Sequence, residues 1–388
     1  MAMGGTGVSS GTGGNASYFN PALLAAAGLK DRFAFEMTIA ARLSDPDKLR
    51  DDVDRMDSSG NNLSNTLGLF NQAPTTANAS QLASALGAFH RDLQAVNNKT
   101  LEANLFASPL TVGVPGKDLG WALHAAARAD VGAKLFFSSS DDALLTNYQN
   151  AVEQYANTGN PGDLTNLVTQ FGNGTTLNDP NYQSHLDVRG VALSEFGVSL
   201  AHEFQSWDKL AVGITPKYVK VYTFDYSVSP QRSEITIDKG RKDYTGSNLD
   251  VGFAKDLGSG FKAGLVAKNA IARTYTTILG NDIELKPQLR AGLSHHTGWS
   301  TVAIDVDLTE NKPVAFDKPT RYAGIGAEFS AWDFLRFRVG YRADLAGNYS
   351  GIPSLGLGLS IFGVHVDAAV ARRSKEDIMA AVQVGFRF

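Results

Sequence analysis

The feature that most constrains the fold is an alternation of apolar and polar residues through residues 334–388. Alternate side chains lie on opposite faces of a strand, and each of the four runs here has about the length of a tilted strand that crosses a bilayer. The pattern therefore predicts strands with one apolar face, of the kind found in outer-membrane barrels. The apolar positions are Leu335, Phe337, Val339, Tyr341; Leu355, Leu357, Leu359, Ile361; Val364, Val366, Ala368, Val370; and Ala380, Val382, Val384, Phe386, Phe388.

The composition favours one large barrel over other classes of protein. The 388 residues are too many for one ordinary soluble core but suit a barrel of this kind. The chain has no cysteine, which excludes disulfides, thiolate metal sites and thiol catalysis. No run of about 18 apolar residues occurs, so no transmembrane helix is predicted. The net charge of −4 gives no case for binding nucleic acid.

Alternating segments recur along the chain and predict about fourteen strands, an even number as in bacterial barrels. The first covers residues 32–42, a hairpin is predicted to turn near Ala129-Asp130, and strands follow regularly from Ser184. With the first strand running outward, long outer loops alternate with short periplasmic turns, which is the asymmetry of outer-membrane barrels. The predicted outer loops are 43–118, 139–183, 227–247, 271–284, 309–319, 343–352 and 372–377.

Two of these loops, 44–118 and 139–183, are predicted to be helical insertions because their apolar residues recur at helical spacing. The first insertion is expected to hold two or three helices that end near Phe106. The apolar faces must be buried, either against each other above the barrel or inside it. The residues with helical spacing are Leu49, Val53, Met56; Leu82, Leu86, Phe89, Leu93; Leu144, Tyr148, Val152, Tyr155; and Leu164, Leu167, Val168, Phe171.

Charged residues of both signs fall on the polar phase of the predicted strands. In an open channel they would set selectivity. The other interpretation is that they pair across strands and fill the lumen. The candidates for lining the lumen are Arg32, Glu36, Arg290, Asp305, Asp307, Glu328, Arg336, Arg338 and Arg342.

No catalytic or metal-binding group is predicted. His295-His296 has no further ligands at a readable spacing. Asp305 and Asp307 would lie about 7 Å apart along a strand, a separation that suits glycoside hydrolysis, but nearby arginines are simpler partners for them. We therefore predict a protein that is not an enzyme and that has no cofactor.

The N-terminal segment carries a family resemblance. Gly4-Gly5-Thr6-Gly7 followed by Tyr18-Phe19-Asn20-Pro21-Ala22 resembles the start of mature proteins of the FadL long-chain fatty acid transporter superfamily. Leu23 departs from the motif, which usually has Gly there. The resemblance implies that residues 1–31 are a hatch that plugs the barrel, with Tyr18, Phe19, Asn20 and Pro21 as its gate. The long insertion after the first strand is similar to the conjugal transfer TraF-like branch of that superfamily.

The predicted fold class is all-β transmembrane, with residues 1–388 forming a single outer-membrane β-barrel domain of about fourteen antiparallel strands. The implied function is passive uptake of hydrophobic or amphipathic small molecules. Capture is expected on the helix faces of 78–106 and 141–171, with Arg336 and Arg338 holding a carboxylate. The alternative is a structural or partner-docking role in conjugal transfer.

The expected partners are membrane lipid (and detergent after extraction), a hydrophobic small-molecule ligand, and proteins at the outer loops. Nucleic acid is not expected. Because a bacterial outer-membrane protein must be exported, we expect that a signal peptide has been removed and that Met1 stands in its place.

Overall fold

The computed structural model describes residues 1–26, 32–164, 182–228, 240–331 and 334–387, in which fourteen antiparallel strands close into one barrel. The first strand, Ala34–Ser44, pairs with the last, Asp377–Arg387, so the described sheet is continuous around the barrel. In a bilayer every backbone polar group must find its partner within the protein, and a closed sheet meets this requirement. The predicted fold class is confirmed.

The elements are numbered in chain order. The helices are α1 (Asn15–Phe19), α2 (Leu49–Gln72), α3 (Thr76–Val96) and α4 (Ser139–Thr158), with short 3-10 turns at Pro21–Leu24, Pro161–Leu164 and Gln205–Trp207. A separate hairpin, β8 (Arg273–Thr276) with β9 (Asp282–Leu285), lies between barrel strands β7 and β10. The barrel strands are β1 (Ala34–Ser44), β2 (Thr100–Val114), β3 (Gly120–Phe136), β4 (His185–Phe204), β5 (Leu210–Val228), β6 (Arg241–Gly258), β7 (Phe261–Lys268), β10 (Gln288–His296), β11 (Ser300–Asp307), β12 (Tyr322–Ala331), β13 (Leu335–Asp344), β14 (Ile352–Ile361), β15 (Val364–Ser374) and β16 (Asp377–Arg387).

The apolar positions of the C-terminal strands face outward, as the alternation predicts. Leu355 on β14 and Val370 on β15 are 60% and 56% exposed, while the residues between them on each strand point toward the lumen. An apolar outer band of this extent suits lipid rather than water. Phe388, the predicted end of the last apolar run, lies outside the described residues.

Two predictions in the N-terminal half are wrong. Residues 100–114 are not part of a helical insertion but form β2, so the helical insertion ends before Thr100 rather than at residue 118. The hairpin predicted at Ala129-Asp130 does not exist, because β3 runs through those residues. Alanines occupy both faces of β3 and weaken its alternation. The predicted count of fourteen strands is still correct, because the missed strand β2 is balanced by the division of β3 into two predicted strands.

Short and long connections alternate around the barrel, as predicted, except that the last connection at the long-loop end is the two-residue turn 375–376 rather than the predicted loop 372–377. At one end the strands are joined by short turns, such as 205–209, 259–260 and 362–363. The opposite end, which we call the long-loop end, carries the helical insertions and the β8–β9 hairpin. No helix in the described part of the chain is long and apolar enough to cross a membrane.

The three helices of the long-loop end pack on one another. Leu82 and Leu86 of α3 lie between Leu63 of α2 and Val152 and Tyr155 of α4 in one buried cluster. Of the two arrangements that the sequence left open, packing of the helices on each other is therefore observed. The expected capture surface on these apolar faces is occupied by the helices themselves. The second amphipathic piece, 164–171, falls almost entirely outside the described residues.

Replacing Leu82 by alanine is expected to destabilise this helical cluster by about 2–5 kcal/mol, because the side chain is completely buried and leaves a cavity. Thermal unfolding followed by far-ultraviolet circular dichroism measures the change as a lowered melting temperature of the helical signal. Leu69→Ala is the matched control, because Leu69 is 49% exposed on α2. Equal melting temperatures for the two variants would contradict the packing.

Candidate functional site

Residues 1–26 lie inside the barrel and contact strands around its inner surface. Val8, Leu23 and Leu24 are almost completely buried. The hydroxyl of Ser354 on β14 accepts a hydrogen bond from Gly4 N (3.1 Å), and that of Ser294 on β10 donates one to Ser9 O (3.1 Å). We call residues 1–26 the hatch segment. Residues 27–31, the rest of the predicted hatch, lie outside the described residues.

The barrel wall carries glycine at several points where the hatch segment passes close to it. A Cβ added at Gly252 would lie 1.9 Å from Asn20 Oδ1, and one at Gly340 would lie 2.0 Å from Gly4 N. Such separations are far shorter than a carbon atom tolerates. The wall and the hatch segment are therefore complementary in shape. We call this set the glycine seat; its members are Gly120, Gly213, Gly252, Gly264, Gly324, Gly326, Gly340 and Gly356.

Polar contacts fix the first part of the hatch segment to β11. The carboxylate of Asp305 accepts hydrogen bonds from Gly7 N (2.8 Å) and Val8 N (3.0 Å) through the same oxygen, Oδ2. Asp305 is completely buried, and the guanidinium of Arg290 lies 3.6 Å from it. A buried carboxylate requires such donors, because burial of an unpaired charge is costly.

Asn20 ties the second part of the hatch segment to both the wall and the first part. Its amide Nδ2 donates to Val8 O (2.9 Å) and to Phe253 O of β6 (3.0 Å), and its Oδ1 accepts from Ala22 N (3.1 Å). Asn20 thereby caps the 3-10 turn that begins at Pro21, where proline's fixed φ suits the first helical position. The Asn-Pro pair thus occupies a structurally specified position.

The aromatic residues of the predicted gate have separate partners. The Tyr18 ring lies between Phe106, at 5.2 Å, and the Lys268 ammonium, at 3.9 Å from the ring centroid. Lys268 Nζ also donates to Tyr18 O (2.8 Å). The Phe19 ring lies against the backbone of Gly7. The role of Tyr18, Phe19, Asn20 and Pro21 as a gate stays a prediction.

Most of the predicted lumen-lining residues are paired. Arg338 bridges Glu328 (2.6 Å) and Asp367. Arg290 lies near Asp307 (3.4 Å) as well as Asp305. These contacts agree with the interpretation that the charges pair across strands and fill the lumen.

The remaining four candidates lie in four different settings. Glu36 on β1 accepts from Arg387 Nε (3.0 Å), and the Arg342 guanidinium stacks over the Tyr322 ring at 4.3 Å. Arg336 is half-buried on β13. Arg32 is not on a strand, because β1 begins only at Ala34, and its side chain is exposed.

The prediction missed a second charged cluster in the lumen. Lys217 Nζ on β5 lies 3.2 Å from Glu195 on β4 and 2.9 Å from Asp250 on β6, and it donates to Asn269 Oδ1 at 2.8 Å. Lys217 is 4% exposed. Its position on the inward phase of a predicted strand was the available signal for this cluster.

A cavity of about 200 Å³ opens above the hatch segment at the long-loop end, and we call it the outer pocket. One side is the inner wall of the barrel, with Glu102 on β2, Val191 on β4 and Val221 on β5. The other side is formed by the β8–β9 hairpin and by the loop 310–317. The sequence had pointed to the helix faces of 78–106 and 141–171 for capture, and of those ranges only Glu102 and Asn104, which lie on β2, line this pocket.

Comparisons with known proteins agree with this architecture. A model of the family described as "F plasmid transfer operon, TraF, protein" matches residues 17–307. A search among curated proteins finds no match to the sequence.

Solved structures with a similar fold include the toluene transporter TbuX of Ralstonia pickettii, with a TM-score of 0.56 and 13% identity over 100% of this chain and 97% of TbuX. The TodX deltaS2S3 mutant monoaromatic hydrocarbon channel aligns with a TM-score of 0.53 and 15% identity over 100% of this chain and 97% of that one. At such identities the likeness establishes the fold alone.

Proposed function

We propose a transport function from the premise that the chain belongs to the TraF family of the F plasmid transfer operon and has a FadL-like barrel. The proposed activity is passive uptake of small hydrophobic or amphipathic molecules across the bacterial outer membrane. The observation that carries the proposal is the outer pocket above a hatch segment that the barrel wall is shaped to seat. The outward apolar band supports the location in a bilayer.

The proposed route begins in the outer pocket. Its apolar lining, including Val191, Val221 and Ile283, binds the apolar part of a ligand by burial, and polar groups orient it. The volume of about 200 Å³ is below the roughly 300–1,000 Å³ of pockets for drug-sized ligands, which favours a molecule of one ring or a short chain. TbuX is described as a toluene transporter and TodX as a monoaromatic hydrocarbon channel, and ligands of that size fit this volume.

Passage then requires the hatch segment to move. A small set of hydrogen bonds holds it to the wall, among them those of Gly7 N and Val8 N to Asp305 and that of Asn20 to Phe253 O. Each such bond contributes only about 0.5–1.5 kcal/mol net, so a partial displacement of the segment is accessible at ordinary temperature. The ligand would leave past Tyr18 toward the short-turn end. No catalytic residue is assigned in this scheme.

The family description favours a second candidate, a partner-docking role in conjugal transfer. The helical cluster of α2, α3 and α4 would then be the docking surface, because it lies at the long-loop end, which the sequence predicts to face away from the cell. This candidate requires neither an outer pocket nor a movable hatch segment.

The uptake assay uses radiolabelled toluene and a Gram-negative host, with cells that lack the chain as the reference. Expression is expected to raise the initial uptake rate several-fold. Val314→Trp, which fills the outer pocket, is expected to reduce the gain, whereas Ala346→Trp in another outer loop is not. Plasmid transfer frequency is measured in the same strains. Unchanged uptake together with a dependence of transfer on the chain would overturn the proposal in favour of docking.

A further inference from the structure

We infer that the outer pocket binds small amphipathic cations, such as a primary ammonium group carried on one ring or on a short alkyl chain. This inference rests on the proposed uptake function and names its class of substrate. Four features of the pocket carry it: an unpaired buried carboxylate, the engagement of the pocket's own cations, an apolar wall, and a glycine that makes room for the carboxylate.

The unpaired carboxylate is that of Glu102. Its side chain lines the outer pocket, and the residue is 3% exposed. It accepts a hydrogen bond from Phe316 N at 2.8 Å but makes no ion pair in the part of the chain that the structure describes. Burial of a carboxylate without a cation is costly, and a cation in the pocket removes this cost.

Most of the other charged groups that line the pocket already have an ion-pair partner. Asp317 pairs with Arg42 at 2.8 Å, and Asp130 pairs with Arg128 at 3.0 Å. Glu284 lies 2.8 Å from Lys312 and 3.2 Å from Lys286.

These ion pairs determine which ligand charge the pocket favours. A ligand carboxylate would have to displace a protein carboxylate from Arg128, Lys286 or Lys312, whereas Glu102 has no ion-pair partner among the described residues for a ligand ammonium to displace. Because five carboxylates and three cationic side chains line the pocket, its electrostatic potential also favours a cation.

The apolar wall supplies the rest of the recognition. Val191, Val221 and Ile283 belong to one buried cluster, and Tyr275 packs against it from β8. An apolar body placed on this wall leaves its polar end near Glu102, and the Tyr275 ring offers a face that attracts cations. The pocket thus combines a burial surface for one end of the ligand with a charge for the other.

Gly132 on β3 leaves the space that the Glu102 carboxylate occupies. A Cβ at this position would lie 2.6 Å from Glu102 Oε1 and 2.7 Å from the Cβ of Ala315 in the loop 310–317. Only glycine therefore allows the Glu102 carboxylate and this loop to take their observed positions together.

The test measures binding to the detergent-solubilised protein by isothermal titration calorimetry at mildly alkaline pH, where benzylamine is still protonated, with benzylamine, benzyl alcohol and benzoate as probes. These three share one ring and differ in charge. Benzylamine is expected to bind at least about tenfold more tightly than benzyl alcohol, since a charge-assisted hydrogen bond replaces a neutral one. Benzoate is expected to bind more weakly than either.

Two variants assign the preference to Glu102. Glu102→Gln is expected to remove the preference for benzylamine while leaving the affinity for benzyl alcohol within about twofold, because the apolar wall is intact. Glu284→Gln is the matched control, since that carboxylate lines the same pocket but is already paired, and it is expected to keep the preference. If Glu102→Gln does not fold, Gly132→Ala serves instead, because its methyl group displaces the carboxylate without removing it.

Equal affinities of the unmodified protein for benzylamine and benzyl alcohol would overturn the inference, as would a preference that survives Glu102→Gln. The uptake assay separates this failure from failure of the proposed function. If toluene is taken up but benzylamine is not bound in preference to benzyl alcohol, the cation site is contradicted and the proposed uptake function is not. A preference that depends on Glu102, found without uptake of either compound, supports the site and removes the transport function.

Discussion

Replacing Gly252 by valine is expected to raise the ratio of open to closed time in single-channel recordings by about 5- to 150-fold, because the new side chain cannot coexist with the seated hatch segment. The first added carbon would lie 1.9 Å from Asn20 Oδ1 and 3.0 Å from Pro21 Cδ. Overpacking of this kind costs about 1–3 kcal/mol. The strand is held by continuous backbone pairing to its neighbours on both sides, whereas the hatch segment is held by separate contacts, so the hatch segment is the part that yields.

Planar bilayer recordings measure this change. Gly246→Val is a close control, because Gly246 lies on the same strand and the same face but a Cβ there meets nothing within 4 Å. The control is expected to conduct like the unmodified protein. If both variants leave the ratio of open to closed time unchanged, the hatch segment does not limit flow through the lumen, and the proposed route is wrong.

Cross-linking the hatch segment to the wall is expected to abolish uptake. Asn15 on α1 and Gln383 on β16 face each other, with Asn15 Nδ2 3.1 Å from Gln383 Oε1. Because the chain has no cysteine, Asn15→Cys and Gln383→Cys together provide a unique pair for a short, reducible bifunctional reagent. With the hatch segment fixed in place, uptake of radiolabelled toluene should fall to the level of cells that lack the chain.

Reduction of the cross-link should restore uptake in the same preparation, which separates immobilisation from damage to the fold. Each single-cysteine variant, treated with the same reagent, should transport normally. Full uptake by the cross-linked protein would mean that molecules pass without movement near Asn15. The lumen route would then be replaced by a path through another part of the barrel.

The C-terminal strands were predictable because large apolar side chains mark their outward face. Leu355 and Leu357 on β14 alternate with small residues, so the phase of that strand is unambiguous. β2 and β3 were misassigned for the opposite reason. On β3, Ala125, Ala127 and Ala129 face outward while Ala122 and Ala126 face inward. Because alanine suits both the lipid face and the lumen face, its positions do not show which face of the strand is which.

The site was less accessible to prediction than the fold. The Asn-Pro pair was placed only by resemblance. A glycine within a strand indicates a turn or a close approach, but the sequence does not say what approaches it, so the glycine seat could not be identified. The cluster around Lys217 needs the registers of β4, β5 and β6, which alternation alone does not fix. The outer pocket joins segments from four separate parts of the chain.

The glycine seat also has a consequence for how the barrel assembles in the membrane without making the membrane permeable. The hatch segment contacts strands from the first half of the barrel at Gly213 and Gly252, and strands from the second half at Gly324 and Gly340. Its complete binding surface therefore exists only once the C-terminal strands have joined. If strands are inserted in order during biogenesis, the hatch segment would fill the lumen when the barrel closes. The membrane would then never contain an open pore during assembly.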